Sequence, residues 1–181
     1  MLEKIRNTAS FIRDKIDHSP EIGIILGTGL GGVVKDIEIH HQLEYEKIPN
    51  FPVSTVDGHH GKLIFGKLGG KNIVAMQGRF HYYEGYDMQE VTFPVRVMKM
   101  LGITTLVVSN ASGGVNPDFE VGDIMLMNDH INLLPNPLIG KNIDELGNRI
   151  VDMSEPYDPE MIRKAEEIAM ENNIKIQKGC Y

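Results

Sequence analysis

Apolar side chains recur along this chain at two spacings, one typical of helices and one typical of buried strands. An apolar residue at every third or fourth position predicts three helices, over residues 2–17, 92–101 and 158–172. Short apolar runs rich in Ile and Val predict strands at 22–26, 63–68, 72–76, 104–109 and 124–127, with a last strand starting at 174. Strands that alternate with helices indicate an α/β fold.

Two local signals refine this prediction. Gly69-Gly70 separates two apolar runs and is typical of a tight hairpin turn, so the sheet is expected to be mixed. A second helix that starts at Thr92 places Pro94 in the first turn, where the missing N–H of proline costs little. The expected apolar face of that helix consists of Val91, Val95, Met98 and Leu101.

Composition and charge exclude several classes of protein. The 181 residues, 41% of them hydrophobic, suffice for one domain with its own core, and we predict a single domain over residues 1–181. No segment resembles a membrane span or a signal peptide, and Cys180 is the only cysteine, so we expect a cytoplasmic protein without an internal disulfide. The net charge of −7 argues against general nucleic-acid binding, which requires a basic face.

A glycine-rich loop follows the first predicted strand. Gly27, Gly29 and Gly32 have the spacing of a dinucleotide-binding turn, and backbone N–H groups in such a loop can also hold a single phosphate. The Thr28 hydroxyl adds a donor. The segment after the loop is short for a crossover helix, and Glu44 does not follow a clear strand, so NAD is the less favoured ligand. A plain tight turn without a ligand is the alternative to a phosphate loop, and the NAD interpretation ranks third.

Three further loops carry candidate chemistry. His59 and His60 lie between glycines in a proline-bearing loop, where they are either ligand contacts or solvated surface residues. The run QGRFHYYEG supplies Arg79 for an anion, with His81 and Tyr83 beside it, although its aromatic residues are also compatible with a core. The run SNASGG follows a predicted strand, the position at which open α/β sheets bind ligands, and is otherwise a turn.

Long blocks of this sequence resemble the trimeric purine nucleoside phosphorylases. These blocks are GTGLGG, IPNFPVSTVDGHHGKL, MQGRFHYYEGYDMQEVTFPVRVMKMLG, VVSNASGGVNPDFEVGDIMLMNDHINL and NPLIG. The resemblance implies a three-layer α/β/α fold around a central mixed sheet, and a homotrimer. It also implies reversible phosphorolysis of inosine or guanosine to the free base and ribose 1-phosphate, with phosphate as co-substrate and no other cofactor or metal.

The resemblance assigns roles residue by residue. It implies that Arg79 is the main phosphate clamp and that Thr28, His59, His81 and the Ala111 N–H also contact phosphate. His81 and Arg79 are the implied catalytic residues, and Tyr83 is the implied ribose contact. The glycine loop is therefore expected to hold one phosphate.

Some features depart from the family pattern. Ser112 stands where many members have Ala, and Leu146 stands where mammalian members place a Phe that closes the neighbouring subunit's site. The base-selecting residues of the family lie beyond residue 181, so we expect the chain to be a C-terminally truncated member. The alternatives are a non-catalytic phosphate-binding or oligomerising fragment and a methylthioadenosine phosphorylase.

Overall fold

The computed structural model describes residues 1–53 and 61–181, which divide into two compact units. The N-terminal unit is Met1–Ala111 and the C-terminal unit is Ser112–Tyr181. In the described ranges, no helix combines the length and apolarity needed to cross a membrane. A single domain over residues 1–181 stays a prediction.

The N-terminal unit is built on a five-stranded mixed sheet. Its strands are β1 (Ile22–Leu26), β2 (Glu38–Glu44), β3 (Lys62–Leu68), β4 (Lys71–Gln77) and β5 (Thr105–Val108), in the spatial order β2-β3-β4-β1-β5. β1 runs parallel to both β4 and β5, whereas β2, β3 and β4 pair antiparallel. Two helices pack against each other, α1 (Leu2–Arg13) and α2 (Met88–Leu101). The α/β prediction with a mixed sheet is therefore confirmed.

The predicted hairpin is present between β3 and β4. Gly69 and Gly70 both have positive φ, 57° and 77°, the combination that a two-residue turn matching the twist of its strands requires. β2 was not predicted. It is largely exposed at the edge of the sheet, with only intermediate burial at a few positions, so it lacks the apolar run by which the other strands were found.

The predicted start of α2 is wrong by one turn. Asp87 caps the helix, since its side chain accepts from the Glu90 N–H at 2.8 Å while the Glu90 carboxylate accepts from the Asp87 N–H at 2.9 Å. This reciprocal capping box starts the helix at Met88, so that Pro94 lies in its interior and is fully buried. The buried face also differs from the prediction and consists of Phe93, Pro94, Val97, Met98 and Leu101.

The prediction that the fifth strand is buried is also wrong. Leu106, Val107 and Val108 of β5 are between 36% and 46% exposed. β5 is the second edge strand of the sheet, opposite β2. Among the strands of the described residues it pairs with β1 alone. Its apolar composition therefore does not by itself bury it. The core lies instead around α1, α2, β3 and β4, with Ile5, Ile12, Leu63, Ile64, Val74 and Met98 fully buried.

The C-terminal unit contains two parallel strands and one helix. β6 (Ile124–Asp129) pairs with β7 (Ile176–Cys180), and α3 spans Pro159–Glu171. The predicted start of α3 is confirmed, because the Asp158 side chain accepts from the backbone N–H groups of residues 160 and 161. β7 begins two residues later than predicted, since the Ile174 N–H still donates to the Ala169 carbonyl at the end of α3.

Candidate functional site

Three loops meet at the end of the N-terminal sheet where the parallel strands β1, β4 and β5 finish. Since β1 is parallel to β4 and β5, all three strands end at the same edge. Leu26 is paired with Gln77, and Ile25 with Val108, so the loops begin side by side at residues 27, 78 and 109. Loops at the carboxyl ends of parallel strands are the usual ligand sites of open α/β sheets.

Gly27 and Ser109 join two of these loops directly. The Gly27 N–H donates to Ser109 Oγ at 3.0 Å, and that hydroxyl donates to the Ile25 carbonyl at 3.0 Å. A Cβ at Gly27 would lie 2.7 Å from Asn110 Cα and closer still to the Ser109 carbonyl oxygen. Glycine is therefore required at position 27 because two backbones approach each other there.

Arg79 brings the third loop to the same point. Its Nη1 donates to the Ser109 carbonyl at 2.9 Å, and its Nε donates to His81 Nε2 at 3.0 Å. The side chain is partly buried. A guanidinium held in this way places a fixed positive charge at the strand ends of a chain whose net charge is −7.

Glu84 orients His81. One oxygen of its carboxylate, Oε1, lies 2.6 Å from His81 Nδ1 and accepts from the His81 backbone N–H at 3.0 Å. Because arginine is always a donor, His81 Nε2 must be the acceptor in its bond with Arg79. The proton of a neutral His81 is therefore on Nδ1, from which it is donated to Glu84. The Glu84 side chain is only 5% exposed, which suits a carboxylate engaged on two sides.

The remaining predicted residues lie around this group. The Tyr83 ring stacks on the His81 ring at 4.7 Å between centroids and is 81% exposed, so it offers a flat surface beside the histidine. Thr28 is exposed and directly follows Gly27, and Ala111 is exposed two residues after Ser109. Their roles toward phosphate and ribose stay predictions.

Other residues singled out in the sequence lie outside this group. His59 and His60 fall within residues 54–60, outside the described residues. Leu146 belongs to a short 3₁₀ turn, Asp144–Leu146, in the C-terminal unit.

Two further residues belong to the candidate site. Ser109 joins the loops, and Glu84 orients His81. The signal for Glu84 was its spacing three residues after His81, and the signal for Ser109 was its place at the end of a strand.

The geometry excludes the dinucleotide interpretation of the glycine loop. A 3₁₀ segment of six residues, Gly31–Asp36, follows the loop instead of a long crossover helix. The next strand, β2, pairs antiparallel with β3 and is separated from β1 by two strands. Because a Rossmann unit needs two parallel strands joined by a helix, Glu44 at the end of β2 is not placed to bind a ribose.

The polar groups at this edge suit an anion rather than a metal ion. Across residues 1–53 and 61–181, no group of three or more His, Cys, Asp or Glu side chains is arranged to hold a metal ion. Arg79 places a cationic group at the strand ends. The arrangement can therefore hold an anion by hydrogen bonds and charge.

Comparison with known proteins identifies the family. The family model of the phosphorylase superfamily matches residues 21–181. The chain belongs to the phosphorylase superfamily. Purine nucleoside phosphorylase 1 of Bacillus subtilis is 54% identical to it over 100% of this chain and 67% of its own length. The purine nucleoside phosphorylase of Rattus norvegicus is 49% identical over 99% of this chain and 64% of its own length.

A solved structure of a similar protein has the same fold. Isoform 2 of purine nucleoside phosphorylase from Schistosoma mansoni, in complex with cytosine and ribose-1-phosphate, has a TM-score of 0.93 and 44% identity. The match covers 99% of this chain and 65% of that one. The α/β nucleoside phosphorylase-like fold is thus confirmed. The chain spans about two thirds of the length of each of these three relatives.

Proposed function

We propose that this chain forms the phosphate-binding part of a purine nucleoside phosphorylase. The reaction is the reversible phosphorolysis of 6-oxopurine (deoxy)nucleosides such as inosine and guanosine. A phosphate oxygen forms a bond to the anomeric carbon while the bond from that carbon to the purine nitrogen breaks. The products are the free purine and (deoxy)ribose 1-phosphate.

The position of Arg79 is the observation that carries this proposal. Its guanidinium is fixed by Ser109 and His81 at the edge where three parallel strands end. A transition state with positive charge on the sugar is stabilised by an anion held beneath it, and a rigid guanidinium holds phosphate in a defined orientation. The similarity to three purine nucleoside phosphorylases supports phosphate as that anion.

We assign the other contacts around the phosphate as follows. The Thr28 hydroxyl, the Ala111 N–H, His59 and His81 contact phosphate, and Tyr83 packs against the ribose. Glu84 holds His81 in the tautomer in which Nδ1 carries the proton. In this proposal a phosphate oxygen replaces His81 Nε2 as the acceptor of the Arg79 Nε–H, and His81 donates toward phosphate once its Nε2 has taken up a proton from dihydrogen phosphate or solvent.

The proposal also covers the co-substrate, the oligomeric state and the cellular location of the enzyme. Inorganic phosphate is a co-substrate, and no cofactor takes part. We propose a homotrimer in the cytoplasm, in line with the family resemblance and the single cysteine.

A second function is favoured by the length of the match. Because the chain spans about two thirds of its relatives, phosphate binding without turnover is the alternative. A methylthioadenosine phosphorylase remains as a third, which prefers methylthioadenosine to inosine.

Phosphate-dependent release of hypoxanthine from inosine tests the proposal. We expect Arg79→Ala to lower kcat/KM for phosphate by more than ~100-fold, because it removes a charged donor pair worth about 3 kcal/mol. Arg163→Ala is the matched control, since Arg163 is an exposed cation on α3 that pairs with Glu160 and Glu167. Equal activity in both variants would contradict the role of Arg79, and phosphate binding without turnover in the unmutated chain would select the alternative.

A further inference from the structure

Tyr45 is a buried tyrosine next to the candidate site that the proposed mechanism does not use. It starts the 3₁₀ turn Tyr45–Lys47 after β2 and is only 2% exposed. Its ring packs against Phe80 at 5.0 Å and Phe51 at 5.4 Å between centroids. Burial raises the pKa of the Tyr45 hydroxyl, which therefore keeps its proton and acts as a hydrogen-bond donor at neutral pH.

Tyr45 connects both open ends of the β3–β4 hairpin. Its hydroxyl donates to the Gly78 carbonyl at 2.7 Å, directly after β4. Its backbone N–H donates to the Gly61 carbonyl at 3.0 Å, directly before β3. A Cβ on Gly61 would overlap the Tyr45 ring, so residue 61 must be glycine for the ring to lie there.

The same side chain holds the residues on either side of Arg79. Gly78 has a φ of 92°, in the left-handed region that favours glycine. The Tyr45 hydroxyl fixes the Gly78 carbonyl, and the Tyr45 ring packs on Phe80. Arg79, between them, then reaches Ser109 and His81.

We propose that Tyr45 is a positioning residue for Arg79: its hydroxyl and its ring hold residues 78 and 80 so that the guanidinium points at the anion. The identity of that anion as phosphate rests on the proposed function. Without the hydroxyl, water replaces the donor at the Gly78 carbonyl and the direction of Arg79 is less constrained. Affinity for phosphate falls, while contacts to the nucleoside are unchanged.

Tyr45→Phe tests the proposal, because it removes the hydroxyl and keeps the ring. We expect the Kd for inorganic phosphate, measured by calorimetry, to rise about tenfold. KM for inosine should stay within about twofold where turnover is measurable. Tyr86→Phe is the matched control, since the Tyr86 ring also packs on Phe80 at 5.9 Å but its hydroxyl donates to the Val53 carbonyl.

A second readout does not depend on phosphate. The NMR signal of the Arg79 Nε–H should show slow solvent exchange in the unmutated chain and in Tyr86→Phe, and faster exchange in Tyr45→Phe. If the unmutated chain binds no phosphate, the proposed function fails and this signal alone decides the role of Tyr45. Unchanged exchange together with unchanged phosphate affinity would overturn the inference.

A further variant covers the case in which Tyr45→Phe does not fold. Gly78→Ala strains the same peptide at its positive φ and leaves the aromatic ring in place. Weaker phosphate binding and faster Arg79 Nε–H exchange are expected, and normal values for both would overturn the inference.

Discussion

Gly27→Ala is expected to destabilise the protein through a contact between two backbones. The added Cβ would lie 2.7 Å from Asn110 Cα, where ordinary contact begins at 3.4 Å, so the loop after β5 has to retreat by about 0.7 Å or more. The two nearest atoms, Asn110 Cα and the Ser109 carbonyl oxygen, both belong to the main chain, so neither can move aside as the end of a flexible side chain could. Overpacking of this kind costs about 2 kcal/mol, which in a chain of this length lowers Tm by roughly 4–8 °C.

The displacement should also reach the anion site. Arg79 donates to the Ser109 carbonyl, one of the atoms that has to move, so phosphate affinity should fall together with Tm. Thermal unfolding by circular dichroism and phosphate titration by calorimetry measure the two effects.

Gly32→Ala is the matched control from the same glycine loop. Among the described residues, no atom lies within 4 Å of the position that a Cβ would take there, and the φ of Gly32 is not positive. The substitution should therefore leave Tm unchanged or raise it through the entropy of the unfolded chain. Equal Tm values for the two variants would refute the close-approach argument.

Two further predictions concern the stability of each unit. Thr8→Val should lower the free energy of unfolding by about 1–3 kcal/mol, because the fully buried Thr8 hydroxyl donates to the Pro49 carbonyl at 2.7 Å. Thr92→Val, at a half-buried position of α2, should lower it by less. Urea unfolding measures both values. Asp123 has its pKa held below the usual range, first by the Gln177 amide, so its contribution to stability is present above pH 3.8 and lost as the pH falls through its folded pKa. The Tm difference between the unmutated chain and Asp123→Asn should therefore be present at about pH 6 and shrink as the pH falls below 3.8, and a difference that stays constant over that range would contradict this assignment.

The sequence predicted those elements whose signals are local. Gly69-Gly70 identified the hairpin, and Asp158 identified the start of α3, because turn and cap chemistry depends on neighbouring residues alone. The start of α2 was misplaced because Pro94 was taken as the first-turn signal, although the capping pair Asp87 and Glu90 lies just before it. Burial of β5 was mispredicted because the burial of a strand depends on its place in the sheet.

The sequence predicted the loops of the candidate site but not the hydrogen bonds that join them. Arg79 and His81 stand out in the sequence by their chemistry, between glycines at the end of a strand. Ser109 belongs to the predicted loop SNASGG, but its bond to Gly27 was not predicted, because that partner lies 82 residues away along the chain. Such long-range contacts follow from strand order, which periodicity does not determine.

The place of β1 in the middle of the sheet has a consequence for synthesis on the ribosome. Both neighbours of β1 are made after it, and the Gly27–Ser109 bond spans 82 residues. An emerging chain therefore carries an apolar strand with two unpaired edges until β4 and then β5 leave the exit tunnel. Translation rate and chaperone capture over this interval, rather than the stability of the finished sheet, should govern the yield of native protein.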